Sequence, residues 1–121
     1  MRNTAAKGAR LEREILHFLN SAGYSVIRAP SSGNWLTPVD IVGIKSGKII
    51  ALECKNYRSK PRPDRNSLRR FREWCNRAGA MGFLLWQIPG NDWRFLRLED
   101  AEANNYADEN WFGLDVFKRI L

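Results

Sequence analysis

The fold of this chain is decided by the stretch Val39-Asp40-Ile41-Val42-Gly43-Ile44-Lys45-Ser46-Gly47-Lys48-Ile49-Ile50-Ala51-Leu52-Glu53-Cys54-Lys55. Two β-branched, apolar runs lie on either side of Ser46-Gly47. A glycine-containing turn between two such runs is typical of a β-hairpin. We therefore expect residues 39–45 and 48–55 to form adjacent antiparallel strands.

The register of this hairpin brings charged side chains together. If Lys45 pairs with Lys48, Asp40 lies directly opposite Glu53, and a four-residue loop gives the same register. Because alternate side chains share one face of a strand, Lys55 lies on the face of Glu53. Two acids and a lysine are thus expected at one end of an apolar sheet.

Two carboxylates in opposed positions repel each other by about 3 kcal/mol at an effective dielectric constant near 20. A shared proton or a divalent cation would relieve this repulsion. Mg²⁺ suits the site, because it binds one or two carboxylates and completes its shell with waters and substrate phosphates. The alternative is a frayed strand end, with both acids solvated and Lys55 neutralising one of them.

The composition describes one small, basic domain. The chain has 121 residues, of which 44% are hydrophobic, so we treat residues 1–121 as a single domain. Twenty Lys and Arg against thirteen Asp and Glu give a net charge of +7. This excess favours binding of nucleic acid through phosphate neutralisation. Ordinary solvated lysines and arginines are the alternative explanation.

The sequence also excludes several classes of protein. It has no apolar run of about 18 residues, so we expect no membrane association. Residues 1–7 lack the apolar core of a signal peptide. Cys54 and Cys75, in an expected strand and an expected helix, indicate neither a disulfide framework nor a zinc cluster. A cytoplasmic location, or the host cytoplasm for a viral protein, fits best.

Apolar periodicity predicts the remaining elements, which alternate between helices and strands and indicate an α/β fold with a mixed central sheet flanked by helices. They are a helix over Lys7–Ala22, a strand over Tyr24–Arg28, a helix over Ser67–Ala78 capped by Asn66 or Ser67, a strand over Ala80–Ile88, a strand over Trp93–Leu98, and a short helix after Gly113.

Basic side chains cluster after Lys55. The segments 56–65 and 67–78 carry eight of the twenty basic residues. They form the best candidate for a surface that contacts the DNA backbone. The candidate DNA-binding residues there are Lys60, Arg62, Arg65, Arg69 and Arg70.

Two segments allow two interpretations each. The loop 29–38 is either a mobile element that contacts phosphate or a plain connector whose Trp35 packs on the body. The aromatic side chains Trp86, Trp93, Trp111 and Phe117 either complete the core or form a homodimer patch.

With these residues in view, the chain resembles the archaeal-type Holliday junction resolvases, a branch of the PD-(D/E)xK nuclease superfamily with a restriction-endonuclease-like core. The superfamily motif is present as Val39-Asp40 and Glu53-Cys54-Lys55, with its usual proline displaced to Pro38. The narrower resemblance lies in three further stretches, with a fourth suggested at Gly113-Leu114-Asp115. The three are Lys7-Gly8-Ala9-Arg10-Leu11-Glu12-Arg13-Glu14, the run from Gly23 to Gly33, and Trp93-Arg94-Phe95.

The resemblance implies roles for individual residues. Asp40 and Glu53 would hold Mg²⁺, for which Mn²⁺ would substitute, and the backbone carbonyl of Cys54 would be a further ligand. Glu12 would complete the acidic site. Lys55 would orient or activate the attacking water and stabilise the developing charge.

Further roles follow from the same resemblance. Ser32 would approach the scissile phosphate, and Arg13 and Arg28 would support the site or contact DNA. The family implies a homodimer that nicks opposing strands of a four-way junction symmetrically. The segment after Lys55 is shorter than the family pattern, and the loop around Trp35 is more aromatic.

The sequence therefore predicts a metal-dependent endodeoxyribonuclease that resolves four-way (Holliday) junctions in DNA recombination and repair. Two alternatives stay open. One is a nuclease of the same superfamily that acts on flapped or duplex DNA, and the other is a non-catalytic DNA-binding dimer.

Overall fold

The structure is a computed structural model that describes residues 4–29, 36–55, 57–88 and 92–121, with side chains from residue 9 onward. None of the helices in these ranges is long and apolar enough to cross a membrane. A short 3-10 turn at Asp108–Asn110 precedes the last helix. The elements are α1 (Thr4–Ser21), β1 (Ser25–Arg28), β2 (Ile41–Lys45), β3 (Lys48–Lys55), α2 (Arg65–Ala78), β4 (Ala80–Gln87), β5 (Trp93–Arg97), α3 (Leu98–Glu102) and α4 (Leu114–Ile120).

The five strands form one sheet in the order β1-β2-β3-β4-β5. All neighbours are antiparallel except β3 and β4, which are parallel and are joined through α2. A parallel pair needs such a crossover, because the chain must return to the edge at which it started. The prediction of a mixed sheet flanked by helices is confirmed.

The hairpin of β2 and β3 has the predicted register, with Lys45 paired to Lys48. Ser46 and Gly47 between them both have positive φ angles, of 50° and 84°. This is the backbone of a type I′ turn, whose twist matches that of the flanking strands. The turn therefore fixes which residues oppose one another along the whole hairpin.

Helices cover both faces of the sheet. One core includes Ile15 of α1, Leu52 of β3 and Phe117 of α4. The other includes Ala51 of β3 and Phe71 of α2. Because successive strand residues point to opposite faces, the side chains of β3 divide between the two cores. Ala51 and the residues two and four positions from it in β3 face α2.

The start of α2 differs from the prediction. Asp64, and neither Asn66 nor Ser67, is the N-cap, because its backbone is extended and its side chain accepts a hydrogen bond from the Ser67 amide at 2.8 Å. The carboxylate thereby satisfies an amide that has no partner within the helix. The helix ends at Gly79, which has φ 70°.

The end of β5 also differs from the prediction. The strand stops at Arg97, and Leu98 begins the short helix α3, which was not predicted. Arg72 of α2 holds α3 in place through ion pairs with Glu99 and Glu102 at 2.6 and 2.7 Å. Tertiary contacts therefore stabilise a helix that is too short to carry a periodic signal.

The aromatic side chains near the end of the chain belong to the core. Trp86, Trp111 and Phe117 are buried, and Trp93 is half-buried. Trp86 packs edge-on against Trp111, with ring centroids 5.2 Å apart. The core interpretation is therefore confirmed for Trp86, Trp111 and Phe117, while Trp93 packs against the core and is partly exposed.

Candidate active site

Asp40 is a buried carboxylate at the start of β2. Asp40 is only 6% exposed to solvent. The backbone amide of Cys54 donates a hydrogen bond to Asp40 Oδ2 at 2.7 Å. The backbone of Asp40 donates to Leu52 and accepts from Ala29, each at 2.9 Å. Because burying an unbonded charge is costly, these bonds are what allow a carboxylate at this position.

Glu53 lies beside Asp40. The pairing of β2 with β3 ends at Ile41 and Leu52, and the Asp40 amide also donates to the Leu52 carbonyl. The charge of Asp40 acts on Glu53, and the directly opposed pairing of the two acids stays a prediction. Burial raises the pKa of the Glu53 carboxyl. The ammonium of Lys55 opposes this increase, while the charges of Asp40 and Asp64 add to it. The two acids thus share one end of the hairpin, and the proximity of Asp40 disfavours ionisation of Glu53.

Lys55 follows on the same face. Its Nζ lies 3.9 Å from Glu53 Oε1 and 5.7 Å from the centre of the Tyr57 ring. Burial would lower the pKa of Lys55, but Glu53, Tyr57 and Asp40 together raise it above its ordinary value. In the protein without a cation, Lys55 is therefore held firmly in its charged form.

Two carboxylates and one ammonium suit a hard divalent cation. Mg²⁺ is usually bound by one or two carboxylates and keeps several waters. A cation between Asp40 and Glu53 would offset both their mutual repulsion and the burial of Glu53. Within the described ranges, no group of three His, Cys, Asp or Glu side chains is arranged to hold a metal. The donor set fits a site with few protein ligands.

Glu12 and Arg28 form an ion pair near Cys54, the residue between Glu53 and Lys55. Arg28 Nε donates to Glu12 Oε1 at 2.5 Å. Burial raises the pKa of the Cys54 thiol well above its ordinary value, and the charges of Asp40, Glu12 and Glu53 raise it further. Glu12 therefore approaches β3 from the face covered by α1. A metal-binding role for Glu12 stays a prediction.

Lys60 and Arg62 are held against the loop that follows α3. Lys60 donates to the Tyr106 carbonyl at 3.1 Å and forms an ion pair with Asp108. The guanidinium of Arg62 lies over the Tyr106 ring, 4.6 Å from its centre. Because the Asp108 side chain is 90% exposed, its ion pair contributes little to stability. A DNA contact of Lys60 and Arg62 stays a prediction.

The other basic residues with a predicted DNA contact lie on two helices. Arg69 and Arg70 of α2 both donate to Asn66, at 3.0 and 3.3 Å. Arg65 is exposed at the first turn of α2, and Arg13 is exposed on α1. Because α1 and α2 cover opposite faces of the sheet, Arg13 and the arginines of α2 lie on different sides of it.

Some predicted features lie outside the described residues. Ser32 and Trp35 are among them, so the role of Ser32 and the two interpretations of the loop stay predictions.

Two residues near the site were not anticipated. Asp64 adds its charge to the surroundings of Glu53, and its position before Ser67 in an Asp-x-x-Ser cap pattern was the available signal. Tyr57 lies beside Lys55, and its carbonyl accepts a hydrogen bond from the Trp86 indole at 2.9 Å. No sequence signal identified this contact, because it depends on the parallel pairing of β3 with β4.

Comparisons with known proteins agree with this geometry. A family model described as archaeal Holliday junction resolvase (Hjc) matches residues 3–115. The crossover junction endodeoxyribonuclease Hjc of Sulfurisphaera tokodaii is 33% identical over 114 residues, which are 88% of this chain and 78% of that protein. The protein of the same description from Sulfolobus acidocaldarius is 36% identical over 108 residues, or 84% and 75% of the two chains. The solved structure of Archaeoglobus fulgidus Hjc, a Holliday junction resolvase, has a TM-score of 0.68 at 24% identity and covers 91% of both chains.

Proposed function

Because the chain belongs to the archaeal Holliday junction resolvase family, we propose that it is an endonuclease that resolves four-way DNA junctions by symmetric, metal-dependent hydrolysis of phosphodiester bonds. The observation that carries the proposal is the pair of acids on one hairpin. Asp40 is buried and its charge acts on Glu53, and Lys55 Nζ lies 3.9 Å from Glu53 Oε1. A soluble DNA enzyme of this kind would act in the cytoplasm.

Asp40 and Glu53, together with the Cys54 carbonyl, would hold Mg²⁺, and Mn²⁺ would substitute for it. When bound, the cation would supply a water of lowered pKa and would stabilise charge on the phosphate. The chain's own contribution is to fix the acids: the Cys54 amide orients Asp40 through a 2.7 Å hydrogen bond. This preorganisation leaves little rearrangement for the moment of reaction.

Lys55 would stabilise negative charge at the scissile phosphate. Its raised pKa in the protein without a cation favours this role over that of a proton acceptor. Glu12 would approach the site from α1 while paired to Arg28. Ser32 would contact the phosphate from the loop between β1 and β2.

Glu53→Gln should abolish cleavage while leaving binding of the junction intact, because it removes one charged ligand and almost no volume. The measurement is strand cleavage of a labelled four-way junction with Mg²⁺ or a chelator, in parallel with gel-shift binding. We expect a loss of at least about 100-fold in rate. Glu109→Gln, which removes an exposed acid distant in sequence from the hairpin, is the matched control and should cleave normally.

The substrate preference is tested in the same assay with the component duplexes and a flapped duplex. Equal rates on junction and duplex would remove the claim of junction selectivity and favour another nuclease of the superfamily. A junction that is bound but never cut by the wild type, at any Mg²⁺ or Mn²⁺ concentration, would favour a non-catalytic DNA-binding protein.

Symmetric cleavage requires two active sites, so we propose a homodimer. Sedimentation velocity of the free protein should give twice the mass of one chain. A mixed dimer with one Glu53→Gln subunit should make one nick per junction where the wild type makes two.

A further inference from the structure

A cavity lies at the same end of the sheet as Glu53 and Lys55. Lys55 at the end of β3 pairs with Trp86 of β4, and the next residue, Gln87, pairs with Trp93 at the start of β5. Gln87 and Trp93 line a cavity of about 480 Å³. This volume lies in the range of pockets that hold small organic groups. The cavity thus lies beside β4 and β5, at the end of the sheet that carries the acids, and β4 is two strands from β2.

The cavity is built where two separate stretches of the chain meet. Phe95 and Phe112 exchange backbone hydrogen bonds of 2.8 and 2.9 Å, which bring residues 113–115 beside the start of β5. Arg94 and Asp115 line the cavity from the two sides. A Cβ atom at Gly113 would lie 3.1 Å from Asp115 Oδ1 and 3.7 Å from Arg94 Nη1. The glycine therefore keeps the space between these two side chains open.

The lining offers the groups that recognise a nucleobase. Trp93 is held edge-on against Phe18 and Phe95, with ring centroids 5.9 and 6.5 Å apart, so its indole is fixed in place. An aromatic side chain of this kind stacks on any base. The Gln87 amide carries both donors and acceptors, which suits the edge of a base.

The charge of the cavity favours a base over a phosphate as its ligand. Two carboxylates, Asp92 and Asp115, face one guanidinium, that of Arg94, whose Nη1 donates to the Trp93 carbonyl at 3.0 Å. A cavity with an excess of negative charge repels phosphate. The same carboxylates accept hydrogen bonds from the amino groups of adenine, cytosine or guanine. The occupant favoured by this lining is therefore a base and not the sugar–phosphate backbone.

We propose that this cavity receives an unpaired base of the DNA at the branch point of the junction. The proposal rests on the proposed function, since it names how the same protein recognises its substrate. A base that leaves the stack at the point of strand exchange would insert beside Trp93 and donate to Asp92 or Asp115. The bound base would fix the position of the branch point relative to Asp40 and Glu53.

Asp115→Ala tests the proposal, because a base contact and simple repulsion of phosphate predict opposite changes in junction affinity. Removing an acid near DNA ordinarily strengthens binding, because it lowers the repulsion of phosphates. If Asp115 accepts a hydrogen bond from a base, Asp115→Ala should instead weaken binding of an intact junction, by about tenfold. The measurement is fluorescence anisotropy of a labelled junction without divalent cations. Glu109→Ala removes the same charge elsewhere and should leave binding unchanged or slightly stronger.

The second arm changes the DNA and uses the wild-type protein. A junction with abasic sites at the branch-point nucleotides keeps every phosphate and should bind about tenfold more weakly than the intact junction. Asp115→Ala should lose no further affinity on this abasic junction. Equal binding of intact and abasic junctions by the wild type would overturn the proposal.

These outcomes are distinguishable from failure of the proposed function. If the protein cuts intact and abasic junctions equally well, the nuclease assignment holds and the base pocket is wrong. If it cuts no junction but binds the intact form more tightly than the abasic form, the base pocket holds and the nuclease assignment is wrong.

Discussion

At the scale of single residues, Glu53 is the side chain whose surroundings oppose its charge. Burial raises its pKa more than the charge of Lys55 lowers it, and the charges of Asp40 and Asp64 raise it further. An acid whose pKa is raised by folding costs stability once it is ionised. Stability is therefore unaffected below the ordinary carboxyl pKa and falls as the pH rises through the raised value.

Glu53→Gln should accordingly increase the free energy of unfolding at neutral pH, in the absence of divalent cations. The gain should vanish near pH 4, where the wild-type carboxyl is protonated in both states. Urea unfolding at several pH values measures the difference. For the control Glu109→Gln, we expect the difference from the wild type in the free energy of unfolding not to show this dependence on pH. A Glu53→Gln protein that is less stable than the wild type at pH 7 would contradict the prediction.

Some contacts of the site could be predicted from the sequence, and others could not. The approach of Asp40 to the end of β3 that carries Glu53 could be predicted, because it follows from the length of one turn and the pairing of the two strands. The ion pair of Glu12 with Arg28 could not, because it joins a helix to a strand 16 positions away in sequence. Contacts of that kind depend on how elements dock, which a local pattern does not contain.

At the scale of elements, strands with a clear apolar pattern were predicted within one or two residues, including the buried run of β4. The start of α2 was placed late, because Asp64 and Ser67 both resemble caps and only the backbone conformation distinguishes them. Helix α3 was missed, because its five residues are held by Arg72 of another helix.

The packing of α2 and α3 on β4 depends on Gly82. A Cβ atom at this position would lie 3.0 Å from both Cys75 Sγ and Leu98 Cδ2. Gly82→Ala should therefore destabilise the protein by about 1–3 kcal/mol, as overpacking of a core usually does. Thermal and urea unfolding measure this. Met81→Ala, one residue earlier with an exposed side chain, should change stability by less than about 0.5 kcal/mol.

At the scale of the whole molecule, the net charge of +7 is the dominant feature of the surface. The basic residues are distributed along the whole chain, and α1, α2 and the segment before α2 carry more than half of them. A protein of this charge should gain much of its affinity for DNA from the release of counterions.

Junction affinity should therefore fall steeply with salt, by at least about tenfold between 50 and 200 mM NaCl. Anisotropy titrations at several salt concentrations give the slope of log K against log salt. Lys60→Ala should reduce this slope by about one if Lys60 exchanges Asp108 for a phosphate. An unchanged slope for Lys60→Ala would show that Lys60 stays bound to the protein in the complex.

The hairpin of β2 and β3 has one more consequence for how this molecule works. Glu53 lies on β3, and Asp40 lies directly before β2 and is bonded to β3 through the Leu52 carbonyl and the Cys54 amide, so the hairpin backbone holds both acids in place. Glu12, by contrast, is carried by a helix. When a large branched nucleic acid bends or shifts the helices, the distance between the two acids is insulated from that deformation. The helices can then move when DNA is recognised, while the distance between the two acids stays the same.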